Sequence, residues 1–432
     1  MKRHFLLVLL SFSVFLISFC ETAIAQSNEK SEADSLTDAK FEASSAWDEF
    51  ENTFRLFYAY LDRRDVDVEQ WFSVTKSSAL RSQTAADFRD IIRRATYLFT
   101  DPHIIVGPLE PDSFNVFPSA SDLIVHKEED GFVIQHVRLG SPAAELGIRP
   151  NWKVLTIDGL SPKSVLSNIM KGLPFSLSQE QESYLITLAL NGRRTGEREL
   201  ELQEGPTRSH RLTLRSPRAF AADLQSEPAL TTEFIDNLAV IKINNSLGNN
   251  DLISLFDNAI KNAWDKDGVI LDLRNTPSGG NTEVGRSLIG HFISEERPYQ
   301  IHEIPSLERE FSVPRKFIEL VQPRAPYISP DKVVVLSGPW TGSMGEGITI
   351  GLNGAADVTV IASDMGDLLG GLSNRYLERS DLKLDLGTEY LTHIDGTPRE
   401  DFVADISPDR VDVGQSGQDI GLALAIKELK SR

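Results

Sequence analysis

The sequence predicts an α/β protein of several domains. Its C-terminal half alternates continuous apolar runs with a helical pattern, as at 238–243, 252–264 and 268–273. Such runs are typical of parallel strands that are covered on both faces of a sheet. A strand-rich block precedes this half, and a block with helical spacing precedes the strands. The length of 432 residues agrees with two or three domains.

Composition restricts the classes of function. Apolar residues make up 41% and charged residues 25%, a balance that supports packed cores. The net charge of −19 argues against a nucleic-acid partner, because phosphate binding needs a basic surface. The single cysteine excludes a disulfide framework and a cysteine-rich metal site. No H-E-x-x-H or clustered His/Asp motif occurs, so neither a metal nor another cofactor is expected.

The first 25 residues predict a signal peptide. A positive start at 1–3 leads into an apolar run at 5–19, and a small-x-small pattern ends at Ala25. The run of about 15 residues is shorter than the ~20 that a permanent membrane helix needs, and no second apolar run is long enough to span a membrane. We therefore expect export to the periplasm or the exterior. A retained N-terminal anchor is the alternative. Lipid attachment at Cys20 is a weaker one, because Phe19 fills a position that should be small.

Two segments separate this signal from the strand-rich block. Residues 26–45 are polar, acidic and serine-rich, which predicts a flexible linker. Residues 46–110 show helical spacing, with Phe54, Phe57 and Leu61 on one stripe. Two or three helices are expected here, and they end near Pro102 because proline discourages continuation.

The block at 112–204 is strand-rich. Residues 131–137 alternate as a half-buried strand, 140–150 read as a short capped helix and turn, and 154–159 as a strand entering an Asp-Gly turn. This order resembles a PDZ domain of the bacterial protease-associated type, although Asn151-Trp152 replaces the usual Gly-Asp. The resemblance implies binding of a peptide at a sheet edge. A purely structural β-domain is the alternative.

Candidate chemistry lies in the block at 206–432. A buried strand at 332–336 is followed by glycine-rich sequence and a small-residue helix, with Ser343 at the turn between them. A serine there presents its hydroxyl beside the free amides of a helix start, although it can equally be a plain helix cap. A second strand ends in the pair Gly279-Gly280, which lets backbone approach a substrate closely. An ordinary strand-to-helix loop is the alternative there.

Both passages resemble the tail-specific (C-terminal processing) serine peptidases, more closely their tricorn-like branch. The family carries an "LRxNxGG" passage and a nucleophile in "S-x-x-E", and the counterparts here are 273–280 and Ser343-Met-Gly-Glu346. The resemblance implies a crotonase/ClpP-like β/α catalytic core with an inserted PDZ-like β-rich domain and an N-terminal helical subdomain. It also implies that Ser343 is the nucleophile, and that amides of Gly279 or Gly280 and of Met344 hold the oxyanion.

The same resemblance guides the choice of base. Many members use a lysine about 25 residues after the serine, but 365–371 holds no lysine. The tricorn-like branch draws a histidine from the end of its helical region, and Leu98-Phe-Thr-Asp-Pro-His103 resembles that passage. His103 is therefore the expected general base, and His393 is its rival. If the base were instead a lysine, substitution of Lys383 would abolish activity. A histidine base predicts a rate that rises with an apparent pKa around 6 to 7.

The position before the histidine is Pro102, where the tricorn-like branch has a serine linked to an acid. The family's acid is best matched by Glu400, with Asp401 adjacent, and a solvated loop pair is the alternative. The sequence thus predicts an exported serine endopeptidase that cleaves protein or peptide substrates through an acyl-enzyme. A catalytically inactive peptide- or lipid-binding relative and an esterase that uses the same serine remain alternatives, and the substrate and oligomeric state stay open.

Overall fold

The computed structural model describes residues 41–432. The predicted signal peptide and most of the predicted linker therefore lie outside the described residues. The described chain has a mixed α/β fold with three five-stranded sheets. No helix in this part of the chain is long and apolar enough to cross a membrane.

Three helices form the N-terminal region, at the upper end of the expected number. They are α1 (Ala43–Phe57), α2 (Val68–Ala79) and α3 (Ala85–Thr96). Helix α1 begins inside the last residues of the predicted linker. Trp47, Phe54, Trp71 and Phe99 are buried together between these helices, and the Phe54 ring centroid lies 5.4 Å from those of Trp71 and Phe99. This aromatic core supports the chain just before His103.

The strand-rich block folds around one antiparallel sheet in the order β2-β3-β4-β5-β6. We call residues 112–214 the insert domain. Its strands are β2 (Leu123–Glu128), β3 (Gly131–Val137), β4 (Lys153–Ile157), β5 (Arg198–Glu204) and β6 (Arg208–Leu214). Its helices are α4 (Pro142–Glu145), α5 (Pro162–Ile169) and α6 (Gln179–Asn191). The last two helices were not predicted, and the sheet runs ten residues beyond the predicted boundary at 204.

The C-terminal region is built on a second sheet in the order β13-β12-β9-β8-β7. Strands β8, β9, β12 and β13 are parallel and β7 is antiparallel to β8. Strand β9 is buried along its whole length, which agrees with the apolar run at its start. The strands are β7 (Leu230–Ile235), β8 (Leu238–Asn244), β9 (Gly268–Asn275), β12 (Val333–Ser337) and β13 (Thr359–Ala362).

Helices pack on both faces of this sheet, and one of them carries the candidate nucleophile at its start. The helices of this half are α7 (Pro217–Ser226), α8 (Asp251–Ala263), α9 (Thr282–Ile289), α10 (Pro305–Phe311), α11 (Met344–Ala356) and α12 (Ile420–Ser431). Side chains of α8, α9 and α11 share the main core with one face of the sheet. Side chains of α12 pack on the other face.

A third sheet ties the two ends of the chain together. Its order is β1-β15-β10-β11, with β14 also paired to β15. The strands are β1 (Ile105–Gly107), β10 (Arg297–Glu303), β11 (Lys316–Val321), β14 (Gly371–Leu377) and β15 (Leu382–Thr392). Strand β1 follows His103 directly and pairs with β15 through Val106 and Leu384. The sheet therefore holds the histidine segment against the C-terminal region.

We expect Phe54→Ala to lower the free energy of unfolding by about 3–5 kcal/mol, because it leaves a cavity in the aromatic core. Urea denaturation followed by tryptophan fluorescence measures the change. Trp264→Ala is the control, since that side chain is 67% exposed and its loss should change stability by no more than about 0.5 kcal/mol. Equal effects of the two substitutions would contradict the assignment of this core.

Candidate active site

Ser343 occupies a strained turn between β12 and α11. Its backbone has φ 51° and ψ −109°, a conformation that a non-glycine residue adopts only when its surroundings impose it. The backbone N–H of Ser343 donates to Oε2 of Glu346 at 2.6 Å. Ser343 is half-buried, whereas its neighbours Gly342 and Met344 are buried. The turn therefore leaves partly accessible the one side chain that can act as a nucleophile.

Glu346 fixes this turn from within the protein. Its side chain is 2% exposed, and burial raises its pKa to about 8. Arg399 Nη2 lies 3.5 Å from Glu346 Oε2, and this neighbouring cation opposes the rise. The carboxyl group thus caps the backbone of Ser343. This structural role accounts for its position three residues after the serine without any part in proton transfer.

The glycine passage after β9 lies against the serine. The Thr276 carbonyl accepts hydrogen bonds from the N–H groups of Gly279 at 3.2 Å and Gly342 at 3.1 Å, so the two loops run side by side. Gly279 has φ +63°, and a Cβ atom there would lie 2.3 Å from Ser343 Cβ and 2.8 Å from Ser343 Oγ. Only glycine permits this approach.

The candidate oxyanion donors differ in availability. The N–H of Gly279 is already bonded to the Thr276 carbonyl. Within the described part of the chain, the N–H groups of Gly280 and Met344 donate to no other group. A Cβ atom on Gly280 would lie 2.1 Å from the Leu247 carbonyl, so this backbone is also closely packed. Gly280 and Met344 are therefore the two amides free to hold an oxyanion.

His103 lies at the end of the N-terminal region with its ring buried. Its Nδ1 is 2.8 Å from the carbonyl oxygen of Leu369, which can only accept a hydrogen bond. Neutral His103 therefore carries its proton on Nδ1 and presents an unprotonated Nε2. No hydrogen bond to Nε2 occurs among the described residues. Burial lowers the pKa of His103 to about 4, and the nearby Arg399 acts in the same direction.

Asp101 holds the histidine segment in place. Its Oδ1 accepts from the backbone N–H of His103 at 2.9 Å and of Leu369 at 3.3 Å. Its Oδ2 accepts from the hydroxyl of Tyr58 at 2.9 Å. Burial raises the pKa of Asp101 to about 6, and the donors oppose that rise. One carboxylate thus positions both His103 and the residue whose carbonyl orients its ring.

The loop at 364–370, between β13 and β14, joins the histidine to the serine turn. Gly366 N–H donates to the Thr341 carbonyl at 2.8 Å, and a Cβ atom on Gly342 would lie 2.9 Å from Leu368. Arg399 donates to the carbonyl of Leu368 and, at 3.4 Å, to that of Ser343. No hydrogen bond joins Ser343 Oγ to His103 among the described residues, as is common in ligand-free sites.

The acidic residues predicted to orient the base make no hydrogen bond to His103 among the described residues. Neither Glu400 nor Asp401 is bonded to His103 Nδ1, because the Leu369 carbonyl holds that atom. Glu400 is half-buried with Oε2 unpaired, and Asp401 is exposed. The predicted passage does reach the serine turn, but through the adjacent Arg399. Asp101, inside the passage quoted for His103, was not predicted as a site residue either.

The two rival bases lie outside this arrangement. A Cβ atom on Gly354 would lie 2.7 Å from His393 Nε2. Gly354 is eleven residues after Ser343 along α11, which corresponds to about 16 Å at 1.5 Å per residue. Lys383 is exposed on β15, whereas a lysine base needs burial to lower its pKa.

This architecture is that of the tail-specific peptidases, which confirms at the level of fold the resemblance predicted from the sequence. Mature CPAF is one similar structure, with a TM-score of 0.58, 12% identity, and coverage of 90% of this chain and 95% of that one. The photosystem II D1 C-terminal processing protease has a TM-score of 0.53 and 14% identity, with coverage of 89% of this chain and 97% of that one. A putative peptidase from Parabacteroides merdae has a TM-score of 0.50 and 12% identity, with coverage of 90% of this chain and 96% of that one. No family model and no curated protein matches the sequence.

We expect Gly279→Ala to slow labelling of Ser343 by a fluorophosphonate probe on the order of a hundredfold or more, because the new Cβ atom displaces the serine and its donors. Gly205→Ala is the matched control, since Gly205 has φ +62° and nothing within 4 Å of an added Cβ. Both variants carry the same backbone strain of roughly 1–2 kcal/mol. Equal labelling of the two variants would show that Gly279 is not part of the site.

Proposed function

We propose that this protein is an exported serine endopeptidase with a Ser343–His103 mechanism on a crotonase/ClpP-like core. The observation that carries the proposal is the contact of Gly279 with a strained Ser343 at the start of α11, beside two unpaired amides. Peptidases with the same fold support the reaction class. Export rests on the signal-peptide pattern at 1–25.

In the acylation step, Ser343 Oγ attacks the carbonyl carbon of the scissile peptide bond. His103 Nε2 takes the hydroxyl proton, while Nδ1–H stays on the Leu369 carbonyl. The amides of Gly280 and Met344 hold the negative charge that develops on the carbonyl oxygen. The imidazolium then gives its proton to the leaving amine, and the acyl group remains on Ser343.

Deacylation uses the same groups in reverse. A water molecule gives a proton to His103 Nε2 while its oxygen attacks the acyl carbon. The bond between that carbon and Ser343 Oγ then breaks, the proton returns to Oγ, and the carboxylic acid product leaves. The Leu369 carbonyl supplies the orienting role that a carboxylate has in most serine peptidases, because it fixes the ring and the tautomer. It carries only a partial charge, so it stabilises the imidazolium less than a carboxylate would.

A second candidate is a non-catalytic peptide- or lipid-binding relative, since no hydrogen bond joins Ser343 Oγ to His103 among the described residues. Fluorophosphonate labelling of the wild-type protein distinguishes the two, since the probe reacts only with an activated serine. Hydrolysis of matched peptide and ester substrates separates the peptidase from an esterase with the same residues.

We expect Ser343→Ala to reduce peptide hydrolysis by about 10³-fold or more and to abolish probe labelling, because it removes only the nucleophile. Turnover of a fluorogenic peptide, with a thermal unfolding scan as a check on folding, measures this. Ser226→Ala, at an exposed serine at the end of α7, should keep full activity. Retention of more than about a tenth of the activity by Ser343→Ala would exclude this nucleophile.

The buried position of His103 changes the pH profile predicted from the sequence. A general base works when neutral, so activity is present above its folded-state pKa and lost as the pH falls through it. Burial lowers the pKa of His103 to about 4. We therefore expect activity to fall on the acidic side with an apparent pKa well below the value of 6 to 7 predicted from the sequence. Measurement of kcat/KM from acidic to neutral pH locates it.

Four variants complete this test of the base. His103→Ala should lose nearly all activity, whereas His393→Ala and Lys383→Ala should keep most of it. Asp101→Asn removes the titration of Asp101, whose carboxylate is bonded to the histidine segment and whose pKa burial raises to about 6. A limb above pH 7, or inactivity confined to Lys383→Ala, would contradict a histidine base.

A further inference from the structure

The insert domain has an edge strand whose backbone donors are already taken. Strand β2 is the first strand of its sheet and pairs on one side only, with β3. An edge strand normally offers a row of free N–H and C=O groups, which is where a peptide adds as an extra strand. Here the side chains of α6 bond to those groups.

The contacts form a regular ladder along β2. Asn191 Oδ1 accepts from the N–H groups of Asp122 at 2.8 Å and Leu123 at 3.2 Å. The next outward donors are Val125 N–H, which donates to Thr187 Oγ1 at 3.2 Å, and Lys127 N–H, which donates to Ser183 Oγ at 2.9 Å. Asn191 Nδ2 also donates to the Leu123 carbonyl at 2.7 Å, so an acceptor is filled as well.

The spacing explains why a helix can make such a ladder. Residues 183, 187 and 191 lie four apart on one face of α6, a step of about 6.0 Å along the helix. Outward groups recur every second residue on a strand, a step of roughly 6.6 Å. The two repeats agree closely enough for three successive pairs. Each helix residue carries a short polar side chain, which brings the helix close to the strand.

We infer that the insert domain does not take peptides by strand addition at β2, because α6 permanently occupies that edge. An added strand would lie about 4.8 Å from β2 and would need its own carbonyls on these donors. The side-chain oxygens of α6 already lie there at 2.8–3.2 Å. A peptide could bind only by removing the helix and leaving its polar side chains unpaired.

The same helix also lines a cavity. A cavity of about 240 Å³ lies between α6 and the 364–370 loop, and Pro102, beside His103, forms part of its wall. Tyr184 and Gln135 line it from the insert domain, and Asp367 lines it from the loop. The insert domain therefore forms one wall of a cavity close to the histidine segment, although neither His103 nor Ser343 lines that cavity.

Amide hydrogen exchange of the full chain tests the closed edge without reference to activity. We expect slow exchange at Leu123, Val125 and Lys127 in the wild type, and at least tenfold faster exchange at Val125 in Thr187→Val, which replaces the acceptor hydroxyl with a methyl group. Thr213→Val makes the same change at an exposed position on β6, the opposite edge, and should leave β2 unchanged. Exchange of the three amides at unprotected rates in the wild type would overturn the inference.

A substrate comparison tests the consequence and rests on the proposed function. One cleaved peptide is made with a free C-terminal carboxylate and as its C-terminal carboxamide. We expect kcat/KM values within twofold, because no terminus is docked at β2. A loss of tenfold or more on amidation would overturn the inference. Turnover of neither peptide, with no probe labelling, would instead reject the peptidase function, and hydrogen exchange would still decide the state of the edge.

Discussion

The buried carboxylate of Asp101 is the constraint on which the site depends. It accepts hydrogen bonds from three separate parts of the chain, namely Tyr58, His103 and Leu369. A buried carboxylate is unfavourable unless its lone pairs are satisfied, so these three donors must stay where they are. Asp101 therefore links three segments: the aromatic core, against which Tyr58 packs through Phe54, the histidine segment, and the 364–370 loop.

The serine side of the site could be predicted from local sequence, and the reason is geometric. Strands β9 and β12 are parallel neighbours, so the loops that follow them meet at one edge of the sheet. A glycine pair after one strand and a serine after the other are thus brought together by the topology. His103 lies 240 residues before Ser343, and no local pattern connects them; only the family resemblance pointed to it.

Other parts of the site left no usable signal in the sequence. Leu369 acts through its backbone carbonyl, which every residue has. Arg399, beside the predicted Glu400, donates to the carbonyl of Ser343, and a search for an acid in that passage does not find it. In the insert domain, α6 was missed because the polar face that contacts β2 interrupts the apolar periodicity expected of a packed helix. Its Ser, Thr and Asn residues are typical of loops. Their role in a helix becomes clear only from their hydrogen bonds to the edge strand β2.

The hydrogen bond from His103 Nδ1 to the Leu369 carbonyl has a consequence for how the site appears in genetic experiments. An alanine scan removes side chains, and the acceptor in this pair is main chain, so replacement of Leu369 leaves it in place. A scan would report a serine and a histidine with no third member, although the Leu369 carbonyl is hydrogen-bonded to the histidine ring. Only an altered backbone, such as an ester in place of an amide introduced by chemical ligation, would expose the third partner. For the same reason, divergence of the side chain at this position among related proteins carries no information on whether the orienting group is retained.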